Sequence, residues 1–390
     1  MQRHVSMTDV DAPDVAHVGP ASGWDAFEAR PLPPFAPVIR TFVSALSERL
    51  MRAGRTAPDL AALGFWLRPR QVELQAERMA GRASLGVVLH LVPSNVPTVA
   101  FHSWLMALLM GNASVVRLSA RIDPQQDVML DLLSELLADP AFAPIARRTR
   151  FIRYGHDDRV TAWLGARCDL RIVWGGDATI TAIRAVPMAP HAQEVVFPDR
   201  RSMAIVEAGW LATLDAQAFA RLAQALGDDC TRFNQRACAS PTTFVWLGKP
   251  ESDLRGRLLE AVFAAFRDDP ARAMDRLVHA QLNAAELGSL TLEARRGVMA
   301  LAGLGPVGLP HVGGGVVAEW VAPGWDALLE ADLDVQTCVF AGSASLTEVR
   351  AKLALAAGRV DRVVAPGQAL AFDWFQDGVE LTVACSRALR

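Results

Sequence analysis

Among the side chains that could act as a nucleophile, one cysteine stands apart, in the run Arg232-Phe233-Asn234-Gln235-Arg236-Ala237-Cys238-Ala239-Ser240-Pro241. A thiol attacks as its thiolate, so it needs access and nearby positive charge to bring its pKa down from about 8.5. Arg232 and Arg236 offer charge of the right sign, and the small neighbours offer access. Local composition leaves a reactive and a merely structural Cys238 both open. The other four cysteines, Cys168, Cys230, Cys338 and Cys385, have plainer neighbours, such as Val383-Ala384-Cys385, and read as inert core thiols. Five is an odd number, and no spacing matches a zinc or disulfide framework. No metal is expected, and a reducing cytoplasm fits.

A second feature is the turn Trp174-Gly175-Gly176-Asp177. Two glycines between a strand and a helix let backbone approach a ligand closely, and a helix start offers N–H groups and a positive dipole end to phosphate. Such turns also occur as pure structure, and the dinucleotide fingerprint G-x-G-x-x-G is absent here.

The elements that must position these groups follow from hydrophobic periodicity. Ile39, Val43, Leu46 and Leu50 recur at helical spacing, and Gly54 supplies a stop. From residue 85 the pattern changes to short apolar runs alternating with helices. Leu85–Val92 reads as a buried strand, Pro97–Met110 as a helix and Ser114–Leu118 as a second strand, together one βαβ unit with a right-handed crossover. A leucine-rich helix opens at Asp123 and Pro124. Then come a strand at Phe151–Tyr154, a helix at Asp157–Ala166 and a strand at Leu170–Trp174. Strands alternating with helices in this way predict a doubly wound α/β domain that binds ligands at the carboxyl ends of its strands. Helical runs near 215–226 and 250–267, with strands near 242–247 and 335–341, predict a second α/β lobe.

Length agrees, because 390 residues exceed one ordinary core. The expected division is a loosely ordered polar leader over 1–30, a helical arm with a nicotinamide-cofactor-binding domain over 31–206, a catalytic domain over 207–375 and a C-terminal segment over 376–390. The leader has no apolar run with a charged start, so it does not read as a secretory signal. With 51% hydrophobic residues and a net charge of −3, there is no basic excess to attract nucleic acid. The uncharged stretch Leu85–Val116 is interrupted by Pro93, Pro97 and Gly111-Asn112, too often for a membrane span of roughly 20 apolar residues.

Asn234-Gln235-x-x-Cys238 followed by a strand with Thr-Phe-Val resembles the active-site cysteine segment of the aldehyde dehydrogenase superfamily. Val92-Pro93-Ser94-Asn95-Val96-Pro97 and Met110-Gly111-Asn112-Ala113-Ser114-Val115-Val116-Arg117-Leu118-Ser119 resemble its asparagine loop and its "A-G-N-x-V-V-K-P-S" strand. Within it the chain is most similar to the LuxC-like acyl-CoA reductases, through Ala237-Cys238-Ala239-Ser240-Pro241, Phe197-Pro198-Asp199-Arg200 with Ser202, and Asp361-Arg362-Val363-Val364-Ala365-Pro366-Gly367. These motifs fall in family order over about residues 60–387.

The resemblance implies an aldehyde-dehydrogenase-like fold. It implies Cys238 as nucleophile, Asn95 with the Cys238 N–H as oxyanion hole, and Ser94, Arg117, Ser119, Gly175 and Gly176 around the cofactor. The implied reaction is reduction of an acyl thioester, on coenzyme A or an acyl carrier protein, to an aldehyde. Arg117 and Ala120 stand where the superfamily has its lysine and, in NAD-using members, a ribose-binding glutamate. That exchange favours NADPH over NADH. Alternatives are an oxidising aldehyde dehydrogenase and a non-reducing subunit that only carries the acyl group. Superfamily members are commonly dimers or tetramers, yet this chain is short for its family, so whether it forms a homo-oligomer is left open. Acyl chain length is not legible.

Overall fold

The computed structural model describes residues 12–19, 23–54, 58–92, 97–119, 124–266, 270–287, 291–304 and 313–389. Ser94 and Asn95 lie outside these described residues, as do Ala120 and Arg121. The chain forms two compact units, one of residues 200–371 and one of the residues on either side.

In the first unit, β1 is Ala16–Val18, β2 Arg82–Ser84, β3 Val87–Leu91, β4 Ala113–Leu118, β5 Thr149–Arg153, β6 Leu170–Trp174 and β7 Gln193–Phe197. Six of these strands build one sheet in the order β1-β5-β4-β3-β6-β7. All pairs are parallel except β1 with β5. Period-two alternation divides β3 between two cores: Val88 joins the cluster of the helix Pro37–Ala53, whereas Val87, Leu89 and Leu91 join the opposite one. The strand order places β3 between β4 and β6. The chain leaves β3 one way to reach β4 and returns on the other side as β6, which makes a topological switch point at the carboxyl ends of β3 and β6.

Gly111 and Asn112 explain why the turn into β4 is so specific. Gly111 has φ +79°, and an added Cβ would lie 2.1 Å from the Leu32 carbonyl oxygen, so only glycine fits. The Asn112 side chain accepts from the N–H groups of Leu85 (2.8 Å) and Gly86 (3.1 Å) and donates to the carbonyls of Ala107 (3.1 Å) and Cys385 (2.7 Å). One buried amide thereby bonds four main-chain groups from three separate segments.

The second unit begins with β8, Arg201–Glu207, followed by β9 Pro241–Leu247, β10 Thr291–Arg295, β11 Val298–Leu304, β12 Val316–Ala322, β13 Asp334–Ala341 and β14 Arg359–Val364. Their sheet order is β10-β11-β12-β9-β8-β13-β14, parallel throughout except at β10. Alternation again splits β8, with Ala204 and Val206 in one core and Met203 and Ile205 in the other.

Three sequence boundaries need correction. The first domain was expected to run to residue 206, but β8 is the second unit's own strand, paired to β9 and β13. No polar linker marks the change, because Phe197-Pro198-Asp199-Arg200 passes directly from β7 to β8. At the other end, residues from Phe372 onward return to the first unit. There β15 (Phe375–Gln376) and β16 (Val379–Glu380) form a hairpin through Asp377-Gly378, both at positive φ, and β17 (Ser386–Ala388) pairs with β2. Trp374, Leu381 and Cys385 enter the first unit's core. Finally, the described part of the leader is structured: β1 edges the first sheet, and Val15 and Trp24 are buried. A three-residue strand is too short to show periodicity in sequence.

Among the described residues no helix is long and apolar enough to cross a membrane. The Leu85–Val116 stretch supplies β3, the helix Pro97–Leu109 and β4.

Candidate functional site

The amphipathic helix Ala216–Thr231 leads into the cysteine segment. Its buried stripe of Leu222, Ala223, Leu226 and Cys230 also carries Asp229, a carboxylate on an apolar face. Asp229 accepts from the N–H groups of Gly367 (2.7 Å) and Ala369 (2.8 Å), tying the turn after β14 to the helix end. Arg362 braces the same turn by donating to the carbonyls of Gln368, Ala369 and Ala371.

Burial pushes the Asp229 carboxyl up from 3.8 to about 6, against the opposing pull of those two N–H groups. The folded protein therefore holds this proton where the unfolded chain has released it. The stability so gained is complete below pH 4 and is lost as pH rises through about 6. Denaturant titrations should show wild type losing about 2 kcal/mol relative to Asp229→Asn between pH 4 and 6.5. Parallel profiles for the two proteins would refute this assignment.

Beyond the helix the chain takes an unusual path. Phe233, Asn234 and Gln235 all have left-handed backbone, with φ of 52°, 55° and 60°. For residues with a Cβ this costs about 1–2 kcal/mol each, so tertiary contacts must hold it. Gln235 is fully buried and supplies them. Its amide donates to Pro241 O (2.9 Å) and accepts from Gly315 N–H (2.8 Å), while Gly314 N–H reaches Asn234 O (2.9 Å). Gly313, with φ +72°, must be glycine here, because an added Cβ would lie 2.6 Å from Asn234 O. The glutamine of the Asn-Gln-x-x-Cys signature is thus a brace that fixes the loop entering Cys238.

Cys238 follows on this braced loop, half-buried, whereas Cys168, Cys230, Cys338 and Cys385 are at most 1% exposed. Desolvation pushes Cys168 and Cys385 up to about 12, and Cys230 and Cys338 are also raised strongly. These four thiols stay protonated near neutral pH, and Cys238 is the accessible one. Nearby, Arg232 pairs with Asp228 at 3.9 Å. Ser202 on β8 donates its hydroxyl to Cys238 O at 2.7 Å.

In the first unit, Gly175 and Gly176 follow β6 at the switch point. Gly175 donates its N–H to Phe197 O at 3.2 Å, so this amide is spent on structure. Gly176 is the N-cap of the helix Asp177–Arg184, and an added Cβ would lie 2.7 Å from a carboxylate oxygen of Asp199. Trp174 sets the turn from behind, stacking on Phe197 at 4.1 Å and donating to Ser103 Oγ at 3.3 Å. Ser103 also bonds the buried His90, whose pKa desolvation lowers to about 3, so the ring is neutral. At the end of β4, Arg117 is half-buried, donates to Tyr154 O at 3.1 Å and lies over the Tyr154 ring. The Ser119 carbonyl accepts from Arg153 at 2.7 Å.

Sequence reasoning assigned no role to Gln235, Ser202 or Asp229. Only Asp229 carried a signal that could have revealed it, a carboxylate at helical spacing among apolar residues. The remaining motif residues prove to be staples: Arg200 pairs with Asp334 and lies 4.0 Å from Asp361, and Asp361 in turn holds Arg359 at 2.5 Å. Among the described residues there is no cluster of His, Cys, Asp and Glu that could hold a metal.

The profile of a family described as Acyl-CoA reductase (LuxC) matches residues 67–262, half of the chain. Two curated proteins called long-chain acyl-protein thioester reductase are similar. One, from Aliivibrio fischeri, is 28% identical over 168 residues, 42% of this chain and 32% of that protein. The other, from Photorhabdus laumondii, is 26% identical over 178 residues, 45% of this chain and 35% of that protein. The chain thus spans only about a third of the length of the relatives it matches. Among solved structures, an NAD-dependent aldehyde dehydrogenase from Sinorhizobium meliloti superposes with a TM-score of 0.67 at 14% identity, covering 93% of this chain and 83% of that one. An aldehyde dehydrogenase from Pseudomonas aeruginosa gives 0.65 at 13% identity, covering 90% and 83%. At such identities the likeness shows the fold, which is that of the aldehyde dehydrogenases.

Proposed function

The chain belongs to the acyl-CoA reductase (LuxC) family, and from that premise we propose that it reduces an acyl thioester to an aldehyde through a covalent intermediate on Cys238. The observation that carries this reading is the contrast among five thiols. Four are buried and held protonated, and one sits half-exposed on a strained, braced loop. In the proposed reaction the Cys238 thiolate attacks the acyl carbonyl. A new C–S bond forms, the bond to the original thiol breaks, and the departing thiolate takes up a proton. Reduced nicotinamide, when bound, supplies the hydride that converts the enzyme thioester to aldehyde. The Cys238 N–H and the Asn95 amide would stabilise the tetrahedral oxyanion, each such donor being worth about 3 kcal/mol.

The first unit fits a nicotinamide dinucleotide. Its strand order has the switch point of dinucleotide-binding sheets, and Gly176 opens a helix at that point. Arg117 ends the strand next to β3, where such folds contact the adenosine ribose, with Ser119 two residues on. A guanidinium there, with no carboxylate at Arg117, Leu118 or Ser119, supports a 2′-phosphate and hence NADPH. Gly175, through the close approach that its missing side chain allows, the backbone of Gly176 and the hydroxyl of Ser94 complete the proposed cofactor set.

Mass spectrometry with an acyl thioester, offered on coenzyme A and on a carrier protein, tests the function. An adduct should appear on Cys238 and should be discharged as aldehyde by NADPH faster than by NADH. A persistent adduct with both reduced cofactors would leave only an acyl-carrying role.

A further inference from the structure

We propose that Ser202 is a positioning residue for Cys238, one that holds the main chain around the nucleophile so that acylation can proceed. The proposal rests on Cys238 being the nucleophile and deepens that reading. Ser202 is 1% exposed, and its hydroxyl makes two bonds. It donates to Cys238 O at 2.7 Å and accepts from Thr337 N–H at 3.2 Å, linking the nucleophile to the backbone of β13.

The sheet is irregular at this residue on both sides. Pairing of β8 with β9 shifts register between Ser202 and Met203, so that Ser202 faces Pro241 and Met203 faces Thr243. Pairing of β13 with β8 shifts between Val335 and Cys338. Bulges re-aim side chains and leave ladder groups to other partners. Here the released Thr337 N–H is taken by the Ser202 hydroxyl, which in turn points its own proton at Cys238 O.

The consequence for Cys238 follows from peptide planarity. The bond from Ser202 fixes the Cys238–Ala239 peptide, and a bond from Ser240 N–H to Ala237 O (2.9 Å) fixes the Ala237–Cys238 peptide. With both flanking planes set, φ and ψ at Cys238 are set. The direction of its N–H and of its Cα–Cβ bond is then fixed before any substrate arrives. Thiol reactivity toward a small alkylating agent needs only an accessible thiolate. Acylation needs more, because the attacked carbonyl must meet both sulfur and N–H, and misplacement by about 1 Å costs on the order of 100-fold.

The test compares two reagents on the full chain and its Ser202→Ala, Ser202→Thr and Ser202→Cys variants. Iodoacetamide reports thiolate access, and the burst of 4-nitrophenolate from 4-nitrophenyl acetate reports acylation, with the modified peptide identified in each case. Ser202→Ala is expected to lose at least about tenfold in acylation rate, while alkylation stays within about threefold with an unshifted pH profile. Ser202→Thr, which keeps the hydroxyl, should retain most of the acylation. Ser202→Cys fills the same space with a weak donor and should behave like alanine, which covers the case in which Ser202→Ala does not fold. Acylation unchanged in both Ser202→Ala and Ser202→Cys, or a loss shared equally by alkylation and acylation, would overturn the proposal. Failure of the underlying reading looks different: the acetyl group in wild type would map to a residue other than Cys238.

Discussion

Cys238→Ala is expected to abolish acyl-enzyme formation and aldehyde production, with turnover reduced on the order of 10⁴-fold or more, as for loss of other covalent nucleophiles. The fold should survive. The loop is held by main-chain bonds to Cys238 O, Asn234 O and Ala237 O together with the Gln235 side chain, and these bonds persist when the thiol is replaced. The side chain is half-buried, and alanine keeps its Cβ, so stability should change by no more than about 1 kcal/mol. Cys238→Ser should fail as well, because a hydroxyl without a dedicated base is a far weaker nucleophile near neutral pH than a thiol. Intact-mass measurement after exposure to acyl thioester, aldehyde assay and thermal melting together check the claim. Turnover within tenfold of wild type, in a variant that melts normally, would remove Cys238 from the mechanism.

How far the sequence reached depended on what kind of information each residue carries. Periodic elements were legible: Leu170–Trp174 is the strand read from its apolar run, and the helix from Pro97 ends within a residue of its expected end. Short edges were not, and neither was the passage from β7 to β8, where strands of different sheets are joined by only Pro198-Asp199-Arg200. The motifs present a subtler case. Asn112, Arg200, Asp361, Arg362 and Cys238 all belong to segments that resemble the family, yet the first four make bonds to backbone carbonyls, amides or neighbouring charges of the protein itself. A residue's identity does not say whether its partner is protein or substrate. Burial separates the five thiols, and it leaves Cys238 as the half-buried one. Ser202 is also a motif residue, and the positioning role proposed for it rests on its two bonds and on the two register shifts beside it, none of which is visible in the sequence.

The enzyme should release aldehyde and hydrolyse its acyl-enzyme poorly. In oxidising superfamily members a glutamate activates water against the thioester, and the resemblance places Phe197 at the position of that glutamate. A phenyl ring accepts no proton, and this one is 3% exposed and stacked on Trp174. Two carboxylates stand near it in sequence: Asp199, which lies against Gly176, and Glu194 upstream. Among the described residues the Glu194 group is the one held by charged partners. Its oxygens are already engaged: Oε2 accepts from the buried Arg171 at 2.8 Å, and Oε1 from Arg184 at 2.9 Å. With each oxygen bonded to a guanidinium group, this carboxylate is held in place for structure and not presented to a water. Without a general base, hydrolysis forgoes a contribution of typically about 10²–10⁴-fold, so the acyl group should leave Cys238 by hydride or by an incoming thiol. The assay supplies aldehyde and oxidised cofactor with and without coenzyme A. Acyl-CoA should form when the thiol is present, and free acid should lag it by at least about a hundredfold. If free acid accumulates rapidly without coenzyme A, a base exists elsewhere and the oxidising function is the correct one. Phe197→Glu offers the complementary measurement, since a carboxylate at that position should raise the rate of acid formation above that of wild type.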